Sequence, residues 1–69
     1  METFIPTSSH LDRVDYDRET QEMTVTFKNG DAVTYSAVPN EVYLGLQHAR
    51  SAGEYHARNV RGRYAYESA

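Results

Sequence analysis

Glu22-Met23-Thr24-Val25-Thr26-Phe27-Lys28-Asn29-Gly30 is the stretch that decides the fold. Met23, Val25 and Phe27 alternate with Thr24, Thr26 and Lys28. That period of two belongs to a strand with one dry face. Phe27 ends the cleanest apolar stripe and is expected at the centre of the core. Asn29-Gly30 accepts positive φ at both centres of a type I′ turn, so a hairpin is predicted here. The returning strand, Asp31 to Ala37, puts Val33 and Tyr35 on one face. Upstream, Leu11 to Tyr16 offers Leu11, Val14 and Tyr16 to a third strand. The polar turn Asp17-Arg18-Glu19-Thr20 separates it from the second.

Downstream the period changes. Val38-Pro39 ends the sheet region, and proline suits a first helical turn because its missing N–H has no partner there. Val42, Leu46 and Ala49 recur at helical spacing, with Val38 one turn before them. Gly45 inside this helix costs about 1 kcal/mol against alanine and is expected to permit close packing on the sheet. Ser51 opens a second helix, in capping-box spacing with Glu54. Tyr55 and Val60 are expected to face the core, and Gly62 to sit just past the helix end. Arg63 to Tyr66 reads as a tail or a short closing strand. The fold class is α+β: a three-stranded antiparallel sheet followed by two short helices on one face. Residues 1–9, with Pro6 and Thr7-Ser8-Ser9, read as a flexible lead-in to a single domain over 10–66.

The 69 residues allow one domain, with a formal net charge of −3 and no cysteine. Disulfides and thiolate metal sites are thereby excluded. The N-terminus has no basic region and no long apolar run, so a signal peptide is not expected. No stretch approaches the ~20 apolar residues of a membrane span. The expectation is a cytoplasmic protein that does not engage membranes. Charge is unevenly placed. Met1 to Leu46 holds eight acids against three bases, whereas Gln47 to Tyr66 holds four arginines against Glu54 alone. An acidic body with a basic, aromatic end bears on association more than on fold.

Taken in order, the residues resemble the KTSC domain, a small bacterial and phage domain also found at the C-terminus of some lysyl-tRNA synthetases. The matching features begin with Ser8-Ser9, Leu11, Val14 and Tyr16-Asp17, then Val25-x-Phe27-Lys28-Asn29-Gly30. Tyr35, Val38-Pro39, Val42-Tyr43, Leu46 and Ala49 follow. The last block is Ser51-x-Gly53-x-Tyr55, Asn59-Val60-Arg61-Gly62 and Tyr64. Phenylalanine is usual in the family where Tyr55 stands, and lysine is common at Arg63. The resemblance implies this small fold and a role suggested to involve RNA.

The residues themselves nominate one surface. Arg58 and Arg61 share a helix face if the helix continues, Arg63 lies just beyond, and Arg50 precedes the helix. Guanidiniums grip phosphates with paired hydrogen bonds, and Tyr43, Tyr64 or Tyr66 can stack on unpaired bases. The competing explanation is that these cations only complement the helix dipole, at about 0.3–1 kcal/mol each. The leading expectation is a binding module without enzymatic activity. It contacts RNA or another polyanion through Arg50, Arg58, Arg61, Arg63 and Tyr64, and requires no cofactor or metal. The alternative is a protein-interaction module. The free N–H groups at Ser51, Ala52 and Gly53 suit an anion, although Ser51 is already accounted for as a cap. His10, His48 and His56 lack metal-site spacing and are expected to be exposed or half-buried. Ser8, Ser9, His10 and Asp12 match a triad in composition only. Asp12, Asp15, Asp17, Glu19 and Glu22 read as a solvated acidic rim.

Overall fold

A computed structural model describes all 69 residues. Five strands form one antiparallel meander in chain order: β1 Glu2–Phe4, β2 Leu11–Asp17, β3 Glu22–Phe27, β4 Ala32–Tyr35 and β5 Tyr66–Ser68. Helices α1 (Asn40–His48) and α2 (Ala52–Asn59) lie between β4 and β5 in the chain and pack on the inner face. The α+β class and the two helices match the sequence reading; the strand count does not. Two edge strands account for the difference. β1 lies within the stretch read as a lead-in and offers one inward residue, Phe4, opposite Val14. β5 is exposed throughout and pairs Tyr66 with Tyr35. Three residues without a dry face carry no readable period.

The inner face is built from cross-strand rows. Phe4, Val14, Val25 and Val33 form one, and Tyr16, Met23 and Tyr35 the next. Met23 and Val25 are fully buried, as their alternation requires. Leu11 and Val14 are also both buried, although three residues apart. A bulge between Leu11 and Arg13 reconciles them. The extra residue resets the pleat so that both side chains point inward. Each fully buried aliphatic side chain contributes about 1.5–3 kcal/mol of hydrophobic free energy.

The hairpin is present, but with a different turn. The Gly30 N–H donates to the Phe27 carbonyl at 2.9 Å, and the Phe27 N–H donates to the Asp31 carbonyl at 2.8 Å. Gly30 has φ +97°, while Asn29 is not among the residues of positive φ. This is a three-residue loop, a turn followed by a left-handed glycine, rather than the two-residue type I′ turn. The longer loop lets Phe27 lie at the sheet margin. It is half-buried against the core rather than central to it.

The helices dock through aromatic and small residues. Tyr43 of α1 stacks on Tyr16 with centroids 4.7 Å apart and an interplanar angle of 11°. The Tyr16 hydroxyl donates to the Val38 carbonyl at 2.6 Å, tying β2 to the segment that leads into α1. Gly45 does not face the sheet. A Cβ there would collide with the Tyr55 ring, so this glycine sets the approach of α2 to α1. Tyr55 is accordingly half-buried between the helices. The inward stripe of α2 is Ala52, His56 and Val60. Ser51 caps α2 as its spacing predicted, its Oγ accepting from the Glu54 N–H at 3.2 Å. Val60 is the C-cap, so Gly62, at φ +78°, stands two residues past it.

Two stability predictions follow from these bonds. Tyr16→Phe keeps the stack but strands a buried carbonyl. It should lower the unfolding free energy by about 1–3 kcal/mol in a urea titration. Ser51→Ala should cost about 1 kcal/mol, the usual loss for an N-cap. An unchanged midpoint in either variant would remove the corresponding assignment.

Candidate functional site

α2 meets the sheet through one polar contact. His56 stands one helical turn after Ala52 and one before Val60, so it lies on the buried stripe with 6% of its surface exposed. Its Nε2 is 2.9 Å from the Tyr35 hydroxyl. Phe27 meets the imidazole edge-on, with centroids 5.5 Å apart. Burial holds the His56 pKa below its ordinary 6.5, and the nearby Arg61 charge pushes it the same way. Burial raises the Tyr35 pKa, partly offset by Arg61. The pair is therefore neutral at physiological pH and satisfies itself. The expectation that all three histidines are exposed or half-buried fails at His56. The i, i+4 spacing from Ala52 to His56 to Val60 was the signal that could have found it.

Above this pair lies a groove of about 720 Å³. The end of β3 supplies Phe27, and the β3–β4 loop supplies Asn29 and Asp31. β4 and the edge strand β5 supply Tyr35 and Tyr66, α2 supplies His56, and the turn just past α2 supplies Arg61. The Asn29 Nδ2 donates to Asp31 Oδ2 at 3.1 Å, fixing the carboxylate at the rim. Arg61 is exposed and forms no ion pair; the three salt bridges are Arg13–Asp15, Arg18–Glu2 and Arg58–Glu54.

A second, shallower depression of about 490 Å³ adjoins the groove. His10, Gly53 and Ala57 line both, so the two run together along α2. Arg50 rims this second depression. Ser8 lies in its wall, where its Oγ accepts from the His10 and Leu11 N–H groups at 3.0 and 3.1 Å. That hydroxyl organises the start of β2.

The nominated residues divide as follows. Arg61 and Arg50 flank the surface along α2, one at each depression. Arg58 is 75% exposed and paired with Glu54 Oε1 at 3.1 Å, one turn back. The Arg63 Nε donates to the Arg58 carbonyl at 3.1 Å and so also serves the helix end. Tyr64 is half-buried against the core. Of the stacking candidates, Tyr43 is buried and unavailable, while Tyr66 is 64% exposed. The outer face of the sheet is polar. Thr24 and Thr34 share a 2.9 Å hydrogen bond, and Thr3 donates to Asp15 beside them.

Comparison with known proteins agrees with this fold. The sequence model of the KTSC domain matches residues 7–64. The chain belongs to the KTSC domain family. The crystal structure of a KTSC domain protein from Yersinia pestis superposes with a TM-score of 0.90 at 19% identity, covering 99% of this chain and 96% of that one. That likeness is one of fold. Two curated relatives are lysine–tRNA ligases. The one from Nostoc punctiforme is 29% identical over 62 residues, and the one from Trichormus variabilis 32% over 62. Each match covers 90% of this chain and 11% of the relative, so the chain spans about a ninth of those enzymes' length. No helix of this KTSC domain is long and apolar enough to cross a membrane.

The His56 environment predicts a pH response. Its folded pKa is depressed, so the unfolded chain binds the proton more readily. Stability is then held above pH 6.5 and lost as the pH falls below that value. Urea midpoints measured from about pH 7.5 down to about pH 5 should decline, and His56→Gln should flatten the decline. A decline of equal size in the variant would assign the effect to other groups.

Proposed function

We propose that this KTSC domain is a binding module without catalytic activity, and that it contacts RNA through the arginine-flanked surface of α2. The observation that carries the reading is the division of charge. Arg50 and Arg61 stand at the two ends of a continuous depression without carboxylate partners. Arg58 and Arg63 lie beside it, and the rest of the chain is acidic. A phosphate backbone is repelled by the acidic body and attracted along one strip only. The relatives support RNA as the polyanion, because a lysine–tRNA ligase acts on an RNA and carries a matching segment. Tyr64 contributes by holding the last turn against the core and so orienting Arg63.

One observation favours a second reading, a protein-interaction module. The β1 edge is unpaired on its outer side, and Met1 and Ile5 beside it are 88% and 77% exposed. Edges of that kind accept a strand from another chain.

Salt separates the two readings. Replacing Arg58, Arg61 and Arg63 with glutamine should leave the fold intact, since the Arg58–Glu54 pair is worth about 0.3–0.5 kcal/mol. The triple variant should lose binding to single-stranded RNA in fluorescence anisotropy. Any residual binding should have a log–log salt slope flatter by up to about three units, nearly one per lost phosphate contact. No binding by wild type at low salt would end the RNA reading in favour of the protein partner. Equal binding by the variant would place the surface elsewhere.

A further inference from the structure

The groove between the β3–β4 loop, β5 and the end of α2 holds more chemistry than phosphate attraction needs. We propose that it is a base pocket: it takes one unstacked nucleobase of a single-stranded nucleic acid, with guanine preferred. The inference rests on the RNA reading for the strand that presents the base.

Four observations converge. The floor is aromatic and neutral, made of Phe27, Tyr35 and the buried His56. A planar, uncharged ring meets no charge there. Tyr66 stands at the side with most of its ring exposed, tilted 52° from Tyr35 at a centroid distance of 6.1 Å. An exposed tyrosine face beside a cationic surface is the usual platform for an unpaired base. Arg61 lines the same groove with its guanidinium unpaired, suited to the phosphate that a bound base brings with it. Asp31 supplies the selectivity. One of its carboxylate oxygens takes the Asn29 amide, and the carboxylate offers only acceptors to a base edge. Among the bases, guanine presents two adjacent donors, N1–H and the 2-amino group, on its Watson–Crick edge. Unpaired bases are commonly read on that edge. The volume, about 720 Å³, is of the size that small-ligand clefts have. An acidic peptide, the other anion that Arg61 suits, would be opposed by Asp31 and would leave the rings unused.

The probes are labelled uridine-tract oligoribonucleotides that carry guanosine, adenosine or an abasic site at one central position. They are read by anisotropy at fixed low salt. Wild type should bind the guanosine oligomer about tenfold more tightly than the abasic one, within the range for one stacked base. Tyr66→Ala should bring the two together while leaving the salt slope unchanged. Tyr66 pairs through its backbone and is exposed, so the fold should survive the change, as circular dichroism would verify. Asp31→Asn should keep stacking but lose the preference for guanosine over adenosine by about tenfold. If wild type binds all three oligomers equally and Tyr66→Ala changes nothing, the base pocket is wrong although the arginine surface stands. If wild type binds no oligomer, the RNA reading fails. Calorimetry with the four nucleoside 5′-monophosphates then decides the groove by itself. Binding of GMP that Tyr66→Ala abolishes upholds a base site, and no binding of any of the four overturns it.

Discussion

The hydrogen bond between His56 and Tyr35 is the contact on which this small domain turns. It is the polar link in an otherwise apolar seam between α2 and the sheet. Each partner supplies what the other lacks, so neither buried group is left unsatisfied, a state that costs more than the bond itself yields. The bond fixes α2 over β4, and that placement opens the groove beside Phe27. It also aims the chain beyond Val60 so that Arg61 emerges at the groove mouth and Tyr66 returns as the edge strand. Fold and candidate site share one element, because the floor of the site is the core's own margin.

The amino-acid sequence makes the centre of the fold legible and its margins much less so. Met23 and Val25 alternate cleanly, and Ser51 with Glu54 marks a helix start where the structure places the Ser51 cap, although the Glu54 carboxylate turns to Arg58 instead of closing the box. Edge strands of three residues have no period to read, which is why β1 is missing from a pattern-based account and β5, at Tyr66–Ser68, enters it only as one of two readings of Arg63 to Tyr66. Phe27 looks central because it closes an alternating run. A three-residue loop and a sheet margin leave it half-buried instead. Gly45 shows a different limit. Its tolerance for close approach is readable from composition, but its neighbour, Tyr55, is set by how the two helices cross. The Leu11–Val14 spacing contradicts a regular strand and becomes sensible only once the bulge is seen.

The candidate site was legible in part. Arg50 and Arg61 do flank one surface, as the reversal of charge along the chain suggests. Arg58 and Arg63 are partly occupied with α2 itself, through Glu54 and the Arg58 carbonyl. The aromatic and acidic lining of the groove was not legible, because Phe27, Asp31, Tyr35, His56 and Tyr66 come from five separate segments of the chain. Only the helical spacing of His56 hinted that a polar residue belonged on a buried stripe. The two faces of the molecule differ accordingly. The threonine face bonds to itself and presents acids, whereas the α2 face presents Arg50 and Arg61 without carboxylate partners, Arg61 beside the rings.

That difference between faces is the central claim, and an NMR footprint tests it most directly. Amide shifts of the isotope-labelled domain would be followed as a short single-stranded RNA is added to saturation at low salt. The account predicts perturbations along Arg50 to Ala57, at Asn29 and Asp31, and from Asn59 to Tyr66, with Thr3, Asp15, Thr24 and Thr34 unmoved. Perturbations centred on the threonine face or on the β1 edge, or none at any RNA concentration, would contradict it.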